Sequence, residues 1–298
     1  MSAVFEGRKA AFLGGDRRQI WIVEEAVKAG FEVSAIGCPP EIERFTGKPQ
    51  ENSIDDAVRE ADAIFLPIPV HSSRRDGSLY SDHEPFPLFL TDECLNLAKK
   101  GAVVLVGHAP TELMDSIRRL GFHLEEFEED DERAILNGIP TAEGVVAITI
   151  QNTEECFPTM KCMVIGFGRI SVTLARDLRR LGAEIWVAAR RPEVRARALQ
   201  MGFHPLSMEE YMDAIDEMDV IYQTATAVLM DREALSRVRP DALVVEMASP
   251  PGGSDFEAAK ELGARLIWAR AQAGTAPKAA AGWQWNLNAR ILKEHWGL

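Results

Sequence analysis

Met163-Val-Ile-Gly-Phe-Gly-Arg-Ile-Ser171 decides the fold of this chain, together with Ile185-Trp-Val-Ala-Ala-Arg-Arg191 further on. An apolar run leads straight into Gly166-Phe167-Gly168, and a helical segment opening with Arg169 and Ile170 follows. This is the phosphate-cradling start of a dinucleotide-binding βαβ unit. Gly166 permits the tight turn. Gly168 lets the backbone approach a pyrophosphate seated at the positive N-terminus of the helix. The third fingerprint position holds Ser171 instead of glycine. The second strand ends in Arg190 and Arg191, where NAD-specific proteins place an acidic residue for the ribose hydroxyls. Two arginines there favour a 2′-phosphate, so the expected cofactor is NADP.

Outward from that stretch, short apolar runs alternate with helical segments through the whole chain. Before it, Lys9–Leu13, Glu32–Ile36, Ala63–Pro67 and Ala102–Val106 read as strands, with helices over Arg18–Ala29 and Thr111–Leu120 and another ending over Leu95–Lys100. After it, the strands are Cys162–Ile165, Glu184–Val187, Val220–Gln223, Leu243–Glu246 and Arg265–Trp268. Buried strands between helices mean mostly parallel sheets covered on both faces. The expected fold is therefore α/β, with two Rossmann-like doubly wound domains. The first spans 1–140 and forms the substrate side. The second spans 141–282 and binds the nucleotide. A connecting helix is expected over Thr141–Glu155, after Pro140. The amphipathic segment 283–298 is expected to return to the first domain.

The chain has 298 residues, 46% hydrophobic and 27% charged, with a formal net charge of −13. That charge disfavours nucleic acid and anionic membranes as partners. Cys38, Cys94, Cys156 and Cys162 form no CxxC pair and no zinc spacing with histidine, so they read as free thiols and no metal site is expected. The N-terminus lacks a hydrophobic signal region, and no apolar run is long enough to span a membrane, so a cytoplasmic location is expected.

In doubly wound folds ligands sit beyond the carboxyl ends of the strands. The loops there carry a combined pattern: Gly14-Gly-Asp-Arg-Arg-Gln19, Asp130-Asp131 before Asn137-Gly-Ile-Pro-Thr-Ala-Glu-Gly144, Gly166-Phe-Gly-Arg169, Ala248-Ser-Pro-Pro-Gly-Gly-Ser-Asp-Phe256 and Ala276-Pro-Lys278. Taken in order over nearly the whole chain, it resembles the A subunits of dipicolinate synthase, NADP-dependent dehydrogenase-like proteins of endospore-forming bacteria. The resemblance implies oxidation of a dihydrodipicolinate-type precursor from the lysine pathway to pyridine-2,6-dicarboxylate during sporulation. It also implies partnership with a flavoprotein B subunit, and a homo-oligomer is expected. The chain departs from the family at Arg270–Gly282, where a Leu-Pro-Gly segment is missing and Ala279 replaces a threonine. It departs again at Gly107-His108-Ala109-Pro110, where the family suggests smaller polar residues.

Such an oxidation needs a proton acceptor and cations for two carboxylates. No Ser-His-Asp or Cys-His pattern points to a covalent route. Arg17 and Arg18, at a helix start after Gly14-Gly15, and Lys278, in a loop before the last helix, are the candidate carboxylate clamps. Glu143, early in the connecting helix, and His108, in a strand-end loop, are the candidate proton acceptors, with His71 an alternative. Arg74 and Arg75 are reserve cations. Thr224 and Ala225 close a strand near the pyrophosphate and ribose, and Ser249 is within reach of the nicotinamide side. The acidic run from Glu125 reads as a solvated connection. Two other functions stay open. One is a non-catalytic NADP- or substrate-binding component of a flavoprotein complex. The other is an amino-acid or 2-hydroxyacid dehydrogenase on the same plan.

Overall fold

The computed structural model describes residues 3–74, 76–83, 86–270 and 272–298. Arg75 and Ala271 lie outside them. The chain divides into two units, Met1–Arg133 with Ala276–Leu298, and Ala134–Thr275. The divisions expected from sequence, at 140 and 282, fall a few residues later.

The first unit is built on β1 (Lys9–Leu13), β2 (Glu32–Ile36), β3 (Ala63–Phe65), β4 (Val103–Val106) and β5 (His123–Glu126), all parallel in the order β2-β1-β3-β4-β5. Strands β1, β3 and β4 are nearly continuous buried apolar runs because apolar layers cover both faces of the sheet. One layer holds Leu13, Ile64 and Val104 against Leu95 and Ile117. The other takes in Phe12 and Phe65, stacked with centroids 4.3 Å apart, and the last helix, Pro277–Trp296, through Trp285 and Leu292. The chain end thus returns to the first unit because its apolar stripe completes that core.

The second unit contains β6 (Lys161–Ile165), β7 (Glu184–Ala188), β8 (His204–Leu206), β9 (Val220–Gln223), β10 (Leu243–Glu246) and β11 (Arg265–Trp268), parallel in the order β8-β7-β6-β9-β10-β11. Strand order reverses between β6 and β9, and there the crevice for a ligand opens. Two polar side chains buried at the carboxyl ends of the strands shape the loops beside it. The Glu246 carboxylate, fully buried, accepts from Ala248 N (2.7 Å), Gly253 N (2.9 Å) and Ser254 Oγ (2.7 Å). Gln223 Nε2 donates to the carbonyls of Ala227 (3.1 Å) and Gly253 (2.8 Å). The loops after β9 and β10 are therefore stapled to each other, and the Pro250-Pro251 stretch is carried between them.

Several elements differ from what the sequence predicts. The connecting helix runs Asp131–Asn152 with Pro140 inside it. Pro140 does not end the helix. Instead the Asp130 carboxylate receives Arg133 N at 2.8 Å and starts it, with Asp131 and Glu132 in a first turn favourable to negative charge. The acidic run is not a solvated connection: Glu125 and Glu126 belong to β5, and Asp130 is this helix cap. The helix before β4 covers only Asp92–Leu95, and the last helix starts at Pro277 instead of Trp283. The two strands hidden in the sequence, β5 and β8, lie at sheet edges, where charge and Pro205 are tolerated.

Cys38 and Cys162 are buried free thiols, and burial pushes Cys162 up to about 12, so both are inert as nucleophiles. No helix among the described residues is long and apolar enough to cross a membrane.

Candidate functional site

The carboxyl edge of the second sheet opens into a cavity of about 690 Å³, within the usual range for small-molecule sites. Its floor is the turn between β6 and the helix Arg169–Arg180. Gly166 takes a φ of +89°, and a Cβ there would come within 2.7 Å of Thr224 Oγ1. That hydroxyl donates to the Ile165 carbonyl at 2.9 Å, tying the end of β6 to the loop after β9. Gly168 is different: a Cβ built on it meets nothing within 4 Å, so the glycine keeps space open over the helix N-terminus. The first-turn N–H groups of such a helix have no intrahelical partner and favour an anion.

Ser171, at the third fingerprint position, is buried and turned back on the loop. Its Oγ accepts from Gly168 N at 2.7 Å. A hydroxyl thus fixes the turn where other members of this fold rely on a third glycine. The connecting helix packs here too, and Gly138 allows it: a Cβ on that residue would lie 3.3 Å from Ile170 Cα.

The end of β7 forms another side of the cavity. Arg190 and Arg191 are exposed and line it, and Ala188-Ala189 precede them with no acidic residue. Arg191 Nε lies 3.5 Å from Glu193 Oε1, an exposed contact of little energetic weight. Arg195, which carries no sequence signal of its own, props this turn: its Nη1 donates to the carbonyls of Ala189 (2.9 Å) and Arg190 (2.8 Å). The residues present fit a dinucleotide. Open space lies over a glycine turn, a helix N-terminus faces it, and two cations stand at the ribose end.

Of the cofactor residues expected from sequence, Gly166, Gly168, Arg169, Ile170, Arg190, Arg191, Thr224 and Ala225 surround this one cavity. Ser249 does not line it. It is exposed in the turn after β10, and Met247 lines the cavity from that loop. Glu143 is an exposed residue well inside the Asp131–Asn152 helix, not at its start, so no macrodipole argument applies to it.

The remaining candidates belong to the first unit. Arg18 is largely buried and bridges two loops at the carboxyl edge of the sheet. Its Nε and Nη2 hold the Asp16 carboxylate (2.7–3.0 Å), and Nη2 also donates to the Ile68 carbonyl at 2.7 Å. It therefore spans the ends of β1 and β3, where the strand order reverses. Arg17 points elsewhere: its side chain is 64% exposed and lies 3.7 Å from Glu41. Lys278 is exposed in the first turn of the last helix, not in a loop before it. His108 follows β4, mostly exposed, with Nδ1 3.2 Å from Glu126 Oε1, and that same carboxylate oxygen receives Ala109 N at 2.8 Å.

Comparison with known proteins agrees with both halves of this description. Residues 9–127 match the N-terminal domain of the dipicolinate synthase A subunit, and residues 151–250 match the NAD binding domain of D-isomer specific 2-hydroxyacid dehydrogenases. The dipicolinate synthase A subunit of Bacillus subtilis (strain 168) is 28% identical over 97% of both chains. The crystal structure of its counterpart from Bacillus halodurans superposes with a TM-score of 0.88 at 27% identity, covering 97% of this chain and 99% of that one. The crystal structure from Bacillus subtilis gives 0.88 at 28% identity, covering 99% and 98%. By sequence along nearly its whole length, and by fold, this chain is similar to dipicolinate synthase A subunits, and its second unit matches a dehydrogenase-type nicotinamide-dinucleotide domain.

Proposed function

We propose that this chain is an NADP-dependent oxidoreductase subunit that converts a dihydrodipicolinate-type precursor to pyridine-2,6-dicarboxylate during sporulation, in the cytoplasm, as a homo-oligomer and beside a flavoprotein B subunit. The observation that carries the cofactor part is the pair Arg190 and Arg191 on the cavity wall at the end of β7, where an acidic residue would otherwise meet the ribose. Both guanidiniums present forked donors suited to a 2′-phosphate. The turn Gly166–Ile170 receives the pyrophosphate, and Thr224 and Ala225 border the ribose. Nicotinamide held in this cavity would supply the hydride acceptor, and aromatisation of the ring also releases one proton. Arg18 holds a substrate carboxylate, with Arg17 and Lys278 as outer cations. His108 or Glu143 takes the proton.

A second reading is a subunit that binds NADP or substrate and leaves redox chemistry to the flavoprotein. It is favoured by the exposure of both proton-acceptor candidates, since neither is shielded from water. The test is to incubate the purified chain with the lysine-pathway precursor and NADP, with and without the flavoprotein, and to follow dipicolinate formation. Turnover by the chain alone is expected. Turnover only with the partner supports the second reading, and activity with NAD alone overturns the choice of cofactor.

A further inference from the structure

We infer that Arg133 is a second anion-receiving guanidinium of the first unit, taking one carboxylate of the dicarboxylate that Arg18 also serves. The inference rests on the proposed dicarboxylate substrate. Arg133 stands in the first turn of the Asp131–Asn152 helix and is only 9% exposed. Its backbone N–H is satisfied by Asp130. Its guanidinium lies over the Phe127 ring, 5.3 Å from the centroid, and none of its five donors meets an acceptor among the described residues. Two of the acids beside it in sequence are engaged elsewhere. Asp130 and Glu132 both give their carboxylates to Arg290, each at 2.8 Å. Glu128 is exposed.

A buried guanidinium of purely structural role is paired with a carboxylate or with carbonyls. Arg133 has neither, and the guanidinium of Arg18 repels it. Burial and that repulsion both push its pKa down, while Glu128 and Asp130 oppose them more weakly. Arg18 in turn spends Nε and Nη2 on Asp16 and Ile68, which leaves Nη1 without a partner among the described residues. Two guanidiniums on segments that follow strands of one parallel sheet, each with donors unspent, suit an anion with two charged ends. The ring under Arg133 fixes the plane of its fork, and a planar fork receives a carboxylate through two parallel hydrogen bonds.

The experiment uses the full chain and two probes, pyridine-2,6-dicarboxylate and the monocarboxylate picolinate, titrated calorimetrically, with NADP titrated in parallel. In Arg133→Met the dicarboxylate is expected to bind about 10- to 100-fold more weakly and picolinate to change much less, while NADP affinity stays within about twofold. Arg133→Lys is expected to recover only part of the loss, because an ammonium cannot form the fork. Should Arg133→Met fail to fold, the wild-type chain still decides: the Arg133 Nε–Hε resonance, assigned by its absence in Arg133→Lys, must shift on saturation with the dicarboxylate. Wild-type-like dicarboxylate affinity in Arg133→Met, or an unmoved resonance, overturns the inference and leaves the proposed function standing. No dicarboxylate binding to the wild-type chain at millimolar concentration overturns both.

Discussion

After β1 the chain runs Gly14-Gly15-Asp16, and after β6 it runs Gly166-Phe167-Gly168. Both turns stand at the point where a parallel sheet reverses its strand order, yet they do opposite things. In the second unit the turn holds a cavity of about 690 Å³ open, with empty space where a Gly168 side chain would be. In the first unit the glycines let another loop close in. Gly15 N donates to the Tyr80 carbonyl at 2.8 Å, a Cβ on Gly14 would collide with that same carbonyl, and Arg18 straps the loops after β1 and β3 together. The niche bordered by Gly15, Asp16 and Ile68 is about 10 Å³. A glycine-rich strand end therefore marks a close backbone approach, but it does not say whether the approaching group is a ligand or the chain itself.

The largest test of this contrast removes the support behind the open cavity. Glu246→Ala deletes a buried carboxylate and leaves the N–H groups of Ala248 and Gly253 without an acceptor. A loss of about 2–5 kcal/mol is expected in urea unfolding, since each buried donor left unsatisfied costs about 1–3 kcal/mol. Stability within about 1 kcal/mol of wild type would mean that the stapled loops hold without it.

Next in size is Gly168→Val. Its side chain would fill the space over the helix N-terminus, so dinucleotide affinity should fall at least about 100-fold with the far-UV circular dichroism unchanged. A folded variant that retains NADP affinity would move the phosphate site elsewhere and dissolve the contrast between the two turns.

Replacing Arg190 with Asp and Arg191 with Ser should cost about 1–3 kcal/mol of NADP binding and leave NAD binding unchanged or improved, the scale of lost charge-assisted hydrogen bonds. Equal calorimetric affinities for the two cofactors in the wild-type chain would remove the basis for a 2′-phosphate contact. The smallest expected effect is that of Ser171→Gly, which takes the acceptor from Gly168 N while restoring the usual third glycine. About 1 kcal/mol of stability should be lost in chemical denaturation, with a modest rise in the dissociation constant for NADP. A gain in stability would show that the hydroxyl contributes nothing to the shape of the turn.

The sequence by itself determined the parallel α/β class, most strands of both sheets, and the residues of the dinucleotide turn. These depend on local signals: continuous apolar runs for strands buried on both faces, and a glycine turn joined to a helix start. The edge strands β5 and β8 stayed hidden because charge and proline are compatible with a sheet edge, so their composition reads as loop. Pro140 was a false boundary because the Asp130 cap and the packing of Gly138 against Ile170 outweigh one missing backbone donor. Only the tertiary structure separated Arg17 from Arg18, which are adjacent in sequence and alike in chemistry. One faces Glu41 at the surface and the other is buried across β1 and β3. Arg133, hidden in an acidic run, became visible for the same reason. Burial and hydrogen-bond pairing depend on what distant segments bring to a side chain, and residue type and spacing do not encode that.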